Sequence, residues 1–248
     1  MFFKAAVLSN SGNVGKSMIC ESLLIPRIPN CELIKIETIN SDGIQDEKLS
    51  AKEIDEIFSK IDVNDVCLLD IGASNIELFI QNMAKVEGAI EDLDFFFVPT
   101  TTAAKQQQDA LNTITELMGM GVDPDCIKII FNYCDPAVAL EKQYKVIFDD
   151  GIAELLDLTN FDNQFCIEET QMFEFLAKTG VNYNESLNDT RDFKNLIRAT
   201  KDKEERSLLS LEQMTHRYCK GFDKKFNDTF QKIKSACNLH FDDVEEIA

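Results

Sequence analysis

The sequence predicts a three-layer α/β/α fold with a mainly parallel sheet and a helical C-terminal extension. Three observations carry this expectation. Short apolar, β-rich runs alternate with longer stretches of helical spacing, a glycine-containing turn separates the first run from the first helix, and after residue 190 the alternation gives way to uninterrupted helical periodicity.

The β-rich runs lie at residues 5–8, 32–36, 66–69, 94–98 and 127–131, with a sixth, shorter one at 164–167. Helical spacing fills 18–24, 54–61, 76–86 and 106–118, and an acidic helical stretch at 140–156 precedes the sixth run. Strands joined through helices run parallel and are covered on both faces, so a ligand site belongs at their carboxyl ends. The polar stretch 180–190 ends the alternation, and the expected division is an α/β domain over 1–190 and a helical extension over 191–248. In the extension, Leu211, Met214, Tyr218, Phe222, Phe226, Phe230, Ile233 and Cys237 recur about every 3.7 residues. That period exceeds the 3.5 of a left-handed coiled coil, so the stripe is expected to dock on the domain, with a partner interface or a membrane-surface helix as the alternatives, and Lys220 and Lys224 face away from it.

At 248 residues and 44% hydrophobic content the chain can bury a core. The apolar opening is too short for a signal sequence and no run approaches the roughly 18 apolar residues of a membrane span, which predicts a cytoplasmic protein with no membrane association. Eight cysteines are scattered without a CxxC pair and read as buried, reduced thiols, not as a zinc site. His216 and His240 have no second ligand at metal spacing. The net charge of −19 excludes a surface that attracts nucleic acid everywhere. Residues 1–190 carry −20, whereas 191–234 hold 12 Lys/Arg against 7 Asp/Glu, so any direct contact with DNA belongs near the C-terminus.

The turn after the first run reads Ser9-Asn-Ser-Gly-Asn-Val-Gly-Lys-Ser17. Small residues let backbone N–H groups face phosphates, the following helix adds its N-terminal dipole, a Lys reaches the outer phosphates and a Ser hydroxyl ligates Mg²⁺. Gly12 and Gly15 supply the tight backbone, and Lys16 and Ser17 the cation and the metal ligand; Asn10 stands where the usual GxxxxGK[ST] pattern has glycine. The segment is thus a phosphate-binding loop, or P-loop. With KGGxGK[ST] aligned onto residues 11–17, it resembles the deviant Walker A loop of the ParA/MinD ATPases. The resemblance continues through Val66-Cys-Leu-Leu-Asp70 as the Walker B strand, Phe96 to Lys105 as the next strand and loop, Ile129-Ile-Phe-Asn132 as the strand end carrying an adenine-binding Asn, and Phe165 to Val181 as the last strand and closing loop. The Ser-Gly-Asn-Val-Gly-Lys-Ser form is most similar to the StbB-like plasmid stability proteins.

The resemblance implies an ATP/ADP and Mg²⁺ site in which residues 11–18 (Ser11, Gly12, Asn13, Val14, Gly15, Lys16, Ser17 and Met18) and Asn132 contact nucleotide, and Ser17, Glu37 and Asp70 serve the metal. Lys16, Asp42 and Asp70 would be the catalytic residues, with Asp42 positioning water. Two departures bear on activity. Ser11 replaces the Lys that crosses the family's ATP-sandwiched dimer, and the second acid after the second strand falls on Ile39, leaving Asn40 or Asp42 to serve. The expected function is a nucleotide switch in plasmid partition, plasmid stability or DNA segregation, with weak or partner-stimulated ATPase activity, an ATP-dependent homodimer and a DNA-binding partner protein. A nucleotide-holding adaptor with negligible hydrolysis is the alternative. A small-molecule kinase or ligase would need basic or nucleophilic groups after the second and third strands, where Asp, Asn and Ser predominate. Lys105 reads as a solvated lysine.

Overall fold

A computed structural model describes residues 2–37, 48–51 and 53–240. Asp42, together with Ile39 and Asn40, lies outside the described residues. Seven strands, β1 (Phe3–Val7), β2 (Glu32–Ile36), β3 (Lys48–Leu49), β4 (Val66–Ile71), β5 (Phe95–Thr100), β6 (Ile127–Cys134) and β7 (Phe165–Glu168), form one sheet in the order β3-β2-β4-β1-β5-β6-β7. Every pairing is parallel. The sixfold expectation missed β3, whose two residues are too few to show a period.

The helices are α1 (Lys16–Met18, continued by wide π-helical turns over Ile19–Leu24), α2 (Ile54–Val63), α3 (Ile76–Met83), α4 (Ala104–Gly119), α5 (Leu140–Gln143), α6 (Lys145–Phe148), α7 (Ile152–Leu155), α8 (Met172–Thr179), α9 (Tyr183–Leu187), α10 (Phe193–Ala199) and α11 (Lys203–Ala236). The acidic stretch expected as helix is broken into α5, α6 and α7. Tyr144 interrupts it because its ring is fully buried edge-on against Phe131, 4.7 Å between centroids, and its hydroxyl donates to the Asn132 carbonyl at 2.6 Å. Tertiary packing here overrides helix propensity.

Alternation along the strands divides the core. Ala6 and Leu8 with Cys67, Leu69 and Ile71 face α2, α3 and α4, while Phe3, Ala5 and Val7 with Val66 and Leu68 face α1, α8, α9 and α11. The 3.7-residue stripe docks over its carboxyl half, where Phe222, Phe226, Phe230, Ile233 and Cys237 are buried in the same cluster as β1 and α1, whereas Met214 is exposed and Leu211 and Tyr218 are half-buried. Lys220 and Lys224 are exposed on the far side. A polar clamp fixes α11. The Arg27 guanidinium donates to the carbonyl of Ser22 at 2.9 Å, pairs with Asp223 and lies 5.5 Å from the Phe226 ring centre, and the Tyr183 hydroxyl donates to Asp223 at 2.7 Å. The helical extension therefore supplies an outer layer of the fold.

Candidate functional site

β1 occupies the centre of the sheet, so the loop that follows it emerges at the middle of the carboxyl edge. Val7 is level with Asp70 across the β1–β4 ladder. Asp70 shares the strand face of Val66 and Leu68, which is the α1 side, and this parity brings the carboxylate under the start of α1. Loop and acid are thus juxtaposed by register alone.

Residues 8–15 wrap the start of α1 in two steps of positive φ, Asn13 at 58° and Gly15 at 89°. Gly15 is required twice over. Its φ is one that side chains rarely adopt, and a Cβ there would lie 2.5 Å from Asn132 Nδ2 and 3.1 Å from Met18 Cε. Gly12 has a different role, since a Cβ there would meet nothing within 4 Å and the space above it is open. Among the described residues, the main-chain N–H groups of residues 12–17 donate to no acceptor. Such a run of free amides at a helix start has the geometry of a nest that suits an anion.

Lys16 is 9% exposed and folds back through the loop, donating from Nζ to the carbonyls of Ser11 at 2.9 Å and Ser9 at 3.2 Å. Two of its three N–H donors are used and one remains. Burial lowers its pKa and the nearby Asp70 charge opposes that shift. Asp70 is 2% exposed; burial raises its pKa, the Ser17 hydroxyl and Lys16 hold it down, and the charge of Glu37 raises it further. Asp70 Oδ2 is buried without a hydrogen-bond partner among the described residues. A buried oxygen left unpaired beside a hydroxyl fits a hard divalent cation, which takes oxygen ligands. Ser17 is exposed at the mouth, and Glu37 follows β2 with its Cγ 3.5 Å from where a Gly72 Cβ would stand.

The structure brings Ser11, Gly12, Asn13, Val14, Gly15, Lys16, Ser17, Met18 and Asp70 together, with Glu37 at the edge. Asn132 meets them from beneath. Its Nδ2 donates to the Val14 carbonyl at 2.9 Å and its Oδ1 accepts from the Tyr133 amide at 3.0 Å. Ser11 is 7% exposed, its amide donating to Ser9 Oγ at 3.4 Å. Lys105 is exposed.

Sequence reasoning missed the residues that tether the loop to α4. Thr113 Oγ1 accepts from the Asn10 amide at 3.0 Å, Glu116 accepts from Asn10 Nδ2 at 3.2 Å, and Gln106 Nε2 donates to the Gly12 carbonyl at 3.1 Å. Asn10, the departure from the usual glycine, is the residue that makes two of these contacts. Polar residues on one side of a helix give no signal of a partner about a hundred positions away.

No protein-family model and no curated protein matches the chain. Among solved structures it is similar to the MinD cell division protein of Aquifex aeolicus, at 14% identity over 86% of this chain and 95% of that one, TM-score 0.45. It is similar to McdA of Cyanthece, at 10% identity over 87% and 99%, TM-score 0.48, and to a plasmid partition protein from Borrelia burgdorferi, at 14% identity over 69% and 92%, TM-score 0.42. Similarity at that level says nothing of this chain's chemistry, which has to be read from its own atoms. Among the described residues no helix is long and apolar enough to cross a membrane.

Proposed function

We propose that the chain is an ATP-binding nucleotide switch of the ParA/MinD kind, with an StbB-like loop, that serves plasmid partition, plasmid stability or DNA segregation. The observation that carries nucleotide binding is the nest of free amides over residues 12–17, closed around a buried lysine and set beside the unpaired Asp70 oxygen. The free amides take the inner phosphates, and the remaining donor of Lys16 takes an outer phosphate oxygen. Ser17 and Asp70 would hold Mg²⁺, with Glu37 adding charge at its edge. Bound there, Mg²⁺ would neutralise charge on the outer phosphates. Adenine belongs at the end of β6. Asn132 spends one N–H on Val14 and one lone pair on Tyr133, which leaves its second N–H and second lone pair for the base.

Hydrolysis is proposed as weak or partner-stimulated, with Asp42 positioning water. A second reading, a nucleotide-holding adaptor with negligible turnover, is favoured by Ser11. It is buried, its carbonyl is bonded to Lys16, and it has neither charge nor reach to cross an interface. In the switch reading ATP selects a homodimer that a DNA-binding partner protein recognises. Light scattering on a sizing column, with Mg²⁺ alone, with ADP and with ATP, separates the two. Doubling of mass with ATP alone supports the switch; bound nucleotide without a change of mass supports the adaptor.

A further inference from the structure

At the opposite end of the sheet, the amino ends of β1 and β5, the turn that leads into β6 and the carboxyl end of α11 enclose an open cavity of about 630 Å³. Its walls are apolar, with Phe3, Leu93, Phe96, Val122 and Leu239 each at most 8% exposed, whereas Phe2 at its mouth is 77% exposed. Three exposed carboxylates, Glu91, Asp94 and Asp123, form its rim. Asp94 accepts from the Lys4 amide at 2.8 Å and Asp123 from the Asp125 amide at 2.8 Å; the second oxygen of each has no hydrogen bond among the described residues. The carboxyl end of the 34-residue α11 adds the negative pole of its dipole, since Cys237, Leu239 and His240 line the same space. Lys128, whose charge acts on Cys237, and Lys234 in the last turn of α11 offset part of this field.

An apolar hollow of this size with an acidic rim and a helix carboxyl end suits a ligand that is apolar in body and cationic at its edges. The chain's own residues 241–248 carry four carboxylates and no Lys or Arg, and a second copy brings a net −19, so both have the wrong sign.

We propose that this cavity is a docking site for a cationic amphipathic segment of a partner protein, which seats large apolar side chains against its walls and sets Lys or Arg against Glu91, Asp94 and Asp123. The site lies at the far end of the sheet from the phosphate-binding loop and stands whether or not that loop binds nucleotide.

The probe is a fluorescein-labelled helical peptide of Lys, Leu and Phe, compared by anisotropy with its Glu-for-Lys counterpart on the full chain at about 0.15 M salt, where charges more than ~8 Å apart are screened. The Lys peptide is expected to bind and the Glu peptide not. Glu91→Lys and Phe2→Ala, both at exposed positions, are expected to weaken binding about tenfold, while the equal charge reversal Glu154→Lys on α7 leaves it within about twofold. Equal losses at Glu91 and Glu154, or full binding by both Glu91→Lys and Phe2→Ala, would overturn the proposal. So would tight binding gained on deleting residues 241–248, which would put the chain's own tail in the cavity, or peptide-free dimerisation abolished by Phe2→Ala, which would put a second copy there.

Discussion

Asn132 and Gly15 are in direct contact: the nitrogen that donates to the Val14 carbonyl at 2.9 Å stands 2.5 Å from the place a Gly15 Cβ would occupy. The end of β6 thereby sets the shape of a loop more than a hundred residues earlier. Asn132→Ala leaves the Val14 carbonyl unpaired and should cost about 1–3 kcal/mol of stability, read as a lower midpoint in urea with an unchanged slope. Gly15→Ala should cost at least as much and also abolish nucleotide binding, because backbone and side chain are both displaced. Unchanged stability in both variants would remove Asn132 as the brace of the loop.

Lys16→Ala should abolish the thermal stabilisation that Mg-ATP confers. For the parent, ligand at about 100 times its Kd adds ~2.7 kcal/mol, a shift of several degrees in Tm for a chain of this size. The variant should melt at the same temperature with and without Mg-ATP. Equal shifts in the two proteins would show that nucleotide binds elsewhere.

Asp70→Asn removes the charge while keeping the shape, and should separate metal from nucleotide. In the parent, EDTA should weaken ATP binding by about tenfold or more; in Asp70→Asn, EDTA should make little difference. A variant as sensitive to EDTA as the parent would place the metal away from Asp70.

Phe226 is 1% exposed, edge-on to Phe222 and Tyr183 and beneath Arg27. Phe226→Ala should destabilise the whole protein by about 3–5 kcal/mol, with one cooperative transition by both circular dichroism and fluorescence. Loss of α11 signal alone, with the rest melting as before, would mean that the helix is an independent unit.

Burial pushes the thiols of Cys31 and Cys237 up to about 12 and that of Cys67 to about 11. These groups hold their protons in the folded state while unfolded thiols ionise near 8.5. Stability from this source is therefore complete below pH ~8.5 and declines as pH rises towards 12. Urea titrations at rising pH should show the midpoint falling through that window, and mass-spectrometric alkylation at pH 8 should label these three cysteines much faster in urea than in buffer.

Much of this arrangement is legible in the sequence because it is local or periodic. The loop's glycines, Lys16 and Ser17 are close together in the chain, and Asp70 lies near the end of an apolar strand whose parity places it beneath α1. The phenylalanine spacing of α11 announced a buried face. What could not be read is non-local. Asn10 looks like a defect in the loop until Thr113 and Glu116 are seen holding it. The wide turns of Ile19–Leu24 and the break at Tyr144 answer to packing and contradict simple helical spacing. Asn132, which the resemblance marks as a base contact, is seen in the structure to brace the loop, a role that no motif spells out.

On this reading the loop over residues 11–18 holds one nucleotide triphosphate, and calorimetric titration of the full chain with Mg-ATP, beside Lys16→Ala, is the decisive experiment. Saturable binding of one nucleotide per chain, absent from the variant, is the predicted result. No binding by the parent, or the same isotherm from both proteins, would contradict it.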